Sequence, residues 1–101
     1  MKAINTRYLK LAHVTLYQRP SCPFCIRVEH ATRAMGLQIK SVNTSSEPKA
    51  RKELIEDGGK SQVPALKIEQ PDGEAVWLYE SLDIIHFLKE HFAHSAVAAN
   101  L

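Results

Sequence analysis

Residues 17–30 read YQRPSCPFCIRVEH, and Cys22 and Cys25 in that stretch are the only cysteines among 101 residues. What flanks the pair decides the fold. Upstream, HVTLYQ (13–18) alternates Val14 and Leu16 with Thr15 and Tyr17, the pattern of a short strand. Downstream, from Pro23 to Met35, the apolar positions Phe24, Val28, Ala31 and Met35 recur at spacings of four, three and four. That is one face of a helix, and Gly36 ends it. The pair therefore sits where a strand hands over to a helix.

With Pro23 at the first helical position its missing N–H costs nothing, and Cys22 becomes the N-cap. A sulfur there faces unpaired amides and the positive end of the helix dipole, which favours the thiolate. Cys25 lies one turn inside, close enough to close a small disulfide ring. Thiol–disulfide exchange needs such a pair, one thiol to attack and the other to resolve. Arg19 adds a positive charge near Cys22 or a fork for an anionic substrate; a plain surface arginine is the alternative.

A structural zinc site needs four ligands. This chain has one CxxC and, among its five histidines, a group of three at His86, His91 and His94. No second paired motif completes a site, so no metal is expected. Two cysteines are also not the disulfide framework of a secreted mini-domain.

Composition is that of an ordinary globular domain: 45% hydrophobic and 24% charged, with a net charge of +2. That charge is too small to argue for nucleic acid or an anionic membrane surface. MKAINTRYLKLAH lacks the apolar run of about 7–15 residues of an export signal, and no stretch reaches the ~18 of a membrane span. The expectation is a cytoplasmic monomer with reduced cysteines.

LQIKSV (37–42) reads as a second strand, with Leu37, Ile39 and Ser41 on one face. EPKARKELIED (47–57) reads as a charged amphipathic helix closed by Gly58–Gly59. Its Lys49, Arg51 and Lys52 present a solvated face or a contact for a carboxylate. PALKIE (64–69) and EAVWLY (74–79) form a hairpin across the QPDG turn. SLDIIHFLKEHF (81–92) is a helix with Ile84, Ile85, Leu88 and Phe92 inward, Ser81 as N-cap and Asp83 in its first turn. The order is β-α-β-α-β-β-α, an α/β fold with a mixed four-stranded sheet and helices on its faces. Residues 1–12 read as an N-terminal extension, 13–92 as the domain and 93–101 as a tail.

The strand, the CPFC helix start, the VP step at 63–64 and the terminal helix resemble the thioredoxin fold. Over residues 13–92 the chain resembles a dithiol glutaredoxin. CPFC differs from the usual CPYC by one hydroxyl, whereas thioredoxins proper carry Gly-Pro between their cysteines. The resemblance implies Cys22 as nucleophile and Cys25 as resolving thiol. It also implies a cis Val63–Pro64 bond, where the residues alone favour a trans proline at a strand's start, cis being about 5–6% of such bonds. The backbone of Val63 would pair with the cysteinyl segment of glutathione, Arg19 would help bind the tripeptide, and Phe24 would form an apolar wall.

One departure is visible. Glutaredoxins usually follow the hairpin with Gly-Gly and an acidic residue; WLYESLDIIHFL (77–88) instead resembles the N-terminal domain of glutathione S-transferases. There a carboxylate suits the helix N-terminus and the Ser81 hydroxyl, and Glu80 suits the α-amino group of the γ-glutamyl end. A helix-start serine and a solvated Glu80 are the alternative. Without an all-helical second domain, a complete transferase is not expected. The implied activity is glutathione-dependent reduction of protein disulfides or protein–glutathione mixed disulfides, with glutathione as cosubstrate. Alternatives are a glutathione-binding carrier of an iron–sulfur cluster, or a related protein reduced by thioredoxin reductase.

Overall fold

The structure, a computed structural model, describes residues 9–99. Side-chain alternation on β1 (Val14–Gln18) divides the domain into two cores: Val14 and Leu16 face one way, and Tyr17 faces the other. The chain continues as α1 (Pro23–Ala34), β2 (Lys40–Asn43), α2 (Pro48–Glu56), β3 (Ala65–Glu69), β4 (Ala75–Leu78) and α3 (Ser81–Ala99). The sheet order is β2-β1-β3-β4, with β1 and β2 parallel and the other pairs antiparallel. This is the expected thioredoxin-like arrangement.

The larger core buries Val14, Leu16, Leu66 and Ile68 of the sheet under Val28 of α1 and Ile84, Phe87, Leu88 and Phe92 of α3. Full burial of side chains this size stabilises by about 1.5–3 kcal/mol each. The other face is thinner: Tyr17 and Ala65 meet Ala50 and Leu54 of α2, with Val42, Trp77 and Tyr79 around them. Polar contacts anchor α2 and the loop after it. The Tyr17 hydroxyl donates to Glu53, Lys67 Nζ reaches Glu53 Oε2 at 2.7 Å, and Trp77 Nε1 donates to Asp57 Oδ2 at 3.0 Å. The Tyr79 hydroxyl donates to the Gly58 carbonyl.

Three local expectations change. Phe24 is 54% exposed, and the buried face of α1 is Cys25, Val28 and Thr32. The second strand begins at Lys40 rather than Leu37, because residues 32–37 close α1. The Gly36 amide donates to the Arg33 carbonyl, Gly36 takes φ +70°, and the Leu37 amide returns to the Thr32 carbonyl at 2.9 Å. That Schellman geometry consumes Leu37, whose side chain folds back into the core. Ser41 is exposed, and Val42 carries the strand's inward contact. Finally, the Glu80 carbonyl already accepts the Ile84 amide, so Glu80 holds the cap position and Ser81 lies in the first turn.

The Gln70–Gly73 turn closes as expected, with the Gly73 amide donating to the Gln70 carbonyl at 3.0 Å. Of the N-terminal extension, residues 1–8 lie outside the described residues; Leu9 and Leu11 pack half-buried on the larger core. Residues 93–99, read as a tail, continue α3. Alanine is the strongest helix former, and the stretch is rich in it. Residues 100–101 lie outside the described residues.

Candidate functional site

Strand register brings four chain segments to one end of the sheet. Tyr17 pairs with Ala65, so the residues before β3 lie beside the loop that leaves β1. Leu66 pairs with Leu78, so the step from β4 into α3 opens next to Val63–Pro64. The Thr44 amide donates to the Gln18 carbonyl at 2.9 Å, which pins the end of β2 there as well.

Cys22 caps α1. Its backbone is extended, at φ −88° and ψ 116°; Pro23 follows in the first turn, and Sγ accepts the Cys25 amide at 3.3 Å. The Cys22 amide is itself held by the Arg19 carbonyl at 3.2 Å, so the RPSC segment is a closed turn. Sγ also lies 3.9 Å from the Val63 carbonyl oxygen, and the Val63–Pro64 bond is cis. Both cysteines are free thiols, Cys22 7% and Cys25 1% exposed. Burial pushes the Cys25 thiol up from 9.0 to about 12, with its hydrogen bond to Cys22 acting in the same direction and Arg19 pulling weakly the other way. Burial therefore favours the protonated form of Cys25.

Beside the pair is a cleft of about 420 Å³. Of the residues singled out from the sequence, Phe24, Val63, Pro64, Glu80 and Ser81 all line it. Cys22, Cys25 and Arg19 do not: Cys22 adjoins the cleft through the Val63 carbonyl, 3.9 Å from its Sγ, and Arg19 is exposed, its main chain supporting Cys22. Sequence reasoning missed Arg27, Gln62, Tyr79 and Leu82 as lining residues and gave Asp83 only a helix-dipole role. Gln62 and Tyr79 were adjacent to motifs already noted, and Arg27 lies one helical step from Phe24, so spacing alone held the signal. The Tyr79 hydroxyl is pushed above its usual 10.0 by burial and then by Asp57. A larger groove of about 1050 Å³, between α2 and the hairpin, is lined by charged residues such as Lys49, Glu56 and Lys67 and lies away from the Val63–Pro64 step. Among the described residues no cluster of His, Cys, Asp and Glu could hold a metal ion, and no helix is long and apolar enough to cross a membrane.

A helix-capping dithiol beside the Val63–Pro64 step on this sheet is the arrangement of a thioredoxin-fold protein. Residues 16–96 match the family of glutathione S-transferase N-terminal domains, and the chain belongs to that family. It is 25% identical over 59 residues to glutaredoxin 3 of Escherichia coli K12, covering 58% of this chain and 71% of that one. Among solved structures it resembles glutathione transferase Omega 1C from Trametes versicolor, at a TM-score of 0.64 and 28% identity. That match covers 83% of this chain, which spans 39% of the transferase's length. A glutaredoxin from Brucella melitensis shares the fold at a TM-score of 0.53 and 22% identity, over 85% of this chain and 87% of its own.

Proposed function

We propose that the protein is a glutathione-dependent thiol–disulfide oxidoreductase that reduces protein–glutathione mixed disulfides and protein disulfides. The observation that carries this reading is the position of Cys22 Sγ, between the Cys25 amide it accepts and the Val63 carbonyl that borders the cleft. In the first step the Cys22 thiolate attacks the glutathione sulfur of the mixed disulfide. A bond forms between Cys22 and that sulfur, and the substrate protein leaves as a thiolate that takes up a proton. A second glutathione thiolate then attacks the glutathione sulfur of this adduct, releasing oxidised glutathione and regenerating Cys22. For a protein disulfide, Cys22 attacks one of its sulfurs and the other leaves as a thiol; Cys25 then attacks the Cys22 sulfur in this Cys22–protein disulfide, and the second protein sulfur departs, taking up the Cys25 proton. The intramolecular disulfide so formed is reduced by two glutathiones.

The charge of the helix N-terminus and the donated amide favour negative sulfur at Cys22, as nucleophile and as leaving group alike. Val63 offers its backbone to the cysteinyl segment, Phe24 and Pro64 offer apolar walls, and Glu80 with the start of α3 at Ser81 receives the γ-glutamyl end. Arg19 supplies positive charge near the pair. The similarity to glutaredoxin 3 supports the same chemistry. In this reading the protein works as a monomer in a reducing compartment such as the cytoplasm and needs no resident metal.

The test is glutathione-dependent reduction of a glutathionylated peptide by wild type, Cys22→Ser and Cys25→Ser. Turnover is expected to vanish in Cys22→Ser and to persist in Cys25→Ser. A wild type inactive with glutathione would sink the proposal and direct attention to thioredoxin reductase or a bound iron–sulfur cluster.

A further inference from the structure

Two residues of α1 stand off its buried face and on the cleft. Phe24 and Arg27 are three apart, so they are surface neighbours on the helix, and the Arg27 guanidinium lies 5.5 Å from the Phe24 ring centroid. Stacking of this kind orients a guanidinium while leaving its N–H fork free for another partner. Glu80 and Asp83, at the start of α3, line the same cleft. Among the described residues Arg27 is the one cation lining the cleft, and neither it nor Glu80 nor Asp83 is in an ion pair. Opposite charges are thus gathered around one cavity without neutralising one another. All three are exposed and open to a ligand, and a zwitterion would match both signs at once.

The γ-glutamyl end of glutathione is such a zwitterion, with an ammonium and a carboxylate on one carbon. We infer that Arg27 binds the α-carboxylate of that γ-glutamyl group, together with the N-terminus of α3, while Glu80 and Asp83 face the ammonium. This rests on the glutathione reading above and deepens it. Arg27 becomes the residue that distinguishes a γ-glutamyl peptide from one lacking the free α-carboxylate. Guanidinium and carboxylate match in planar, two-pronged geometry, which lysine cannot reproduce.

The experiment is calorimetric titration of wild type, Arg27→Ala and Arg27→Lys with two unreactive ligands, S-methylglutathione and its analogue amidated at the γ-glutamyl α-carboxylate. For wild type, amidation is expected to weaken binding about tenfold, as the loss of one charge-assisted contact does. Arg27→Ala should weaken S-methylglutathione by a similar factor and no longer tell the two ligands apart, and Arg27→Lys should recover only part of the loss. If Arg27→Ala binds both ligands as wild type does, or if the two losses multiply, the inference is overturned. If wild type itself fails to bind S-methylglutathione, the glutathione reading falls and this inference with it.

Discussion

Replacing Gly58 with alanine puts a methyl group where the structure has no room. A Cβ there would stand 2.5 Å from the Leu54 carbonyl oxygen, 2.5 Å from the Tyr79 hydroxyl and 3.2 Å from Trp77 Cδ2. The tyrosine hydroxyl can swing away, but the carbonyl belongs to the last turns of α2 and cannot. Overpacking of this kind costs about 1–3 kcal/mol, and displacing Tyr79 from the Gly58 carbonyl adds about 1 kcal/mol. Stiffening the unfolded chain returns about 0.4–1 kcal/mol. The balance is a loss of about 2 kcal/mol, or roughly 8–16 °C in Tm for a domain of this size. Urea unfolding followed by fluorescence of Trp77, the only tryptophan, measures it. Tyr79→Phe, which removes the hydrogen bond without adding a methyl, should cost no more than about 1 kcal/mol. Because Tyr79 lines the cleft, Gly58→Ala should also weaken ligand binding there. A Gly58→Ala protein within about 0.5 kcal/mol of wild type would refute the packing argument, since that is the range of an inconsequential surface change.

Cys25 gives a pH signature. Its folded thiol titrates at about 12 against an ordinary 9.0, so the folded state binds the extra proton between those values. Its contribution is fully present below the unfolded value and is lost as pH rises from about 9 toward 12. At pH 10, about one unit into that window, the loss is on the order of 1 kcal/mol; under reducing conditions the urea midpoint should fall between pH 8 and pH 10 by more in wild type than in Cys25→Ala, and an equal fall in both would contradict the assignment. Glu53→Ala should cost about 1–2 kcal/mol, chiefly because the buried Tyr17 hydroxyl loses its acceptor. The Lys67 ion pair involves a side chain 40% exposed and adds little. In a Tyr17→Phe background the cost should fall close to zero, whereas an undiminished cost would return the credit to the ion pair.

The order of elements was legible because each rests on local rules: alternation at 14–17, a proline behind Cys22, and Gly36 after Met35. The N-cap role of Cys22 followed from the same rules and is observed. What local rules missed depends on tertiary context. Phe24 fits the helical spacing of the core, yet α1 turns Cys25, Val28 and Thr32 inward because Cys25 must lie behind Cys22. Leu37 looks like a strand residue but is spent in closing α1. Gly58 read as a helix stop, and its close approach to Tyr79 and Trp77, twenty residues on, has no local mark. Arg27 had no motif at all; only the folded cleft brings it together with Glu80 and Asp83. The cis Val63–Pro64 bond came from family resemblance rather than from the residues themselves, and the structure has it.

The proposed chemistry requires that the fold make Cys22 a reactive sulfur. In Cys25→Ser, Cys22 is the single cysteine, so its reaction with oxidised glutathione can be followed by intact mass without ambiguity. The rate should exceed that of the same protein unfolded in urea by about tenfold or more, as expected for a thiol at a helix N-terminus. One glutathionyl group should be gained, and reduced glutathione should remove it. A folded protein that reacts no faster than the unfolded chain would contradict the claim.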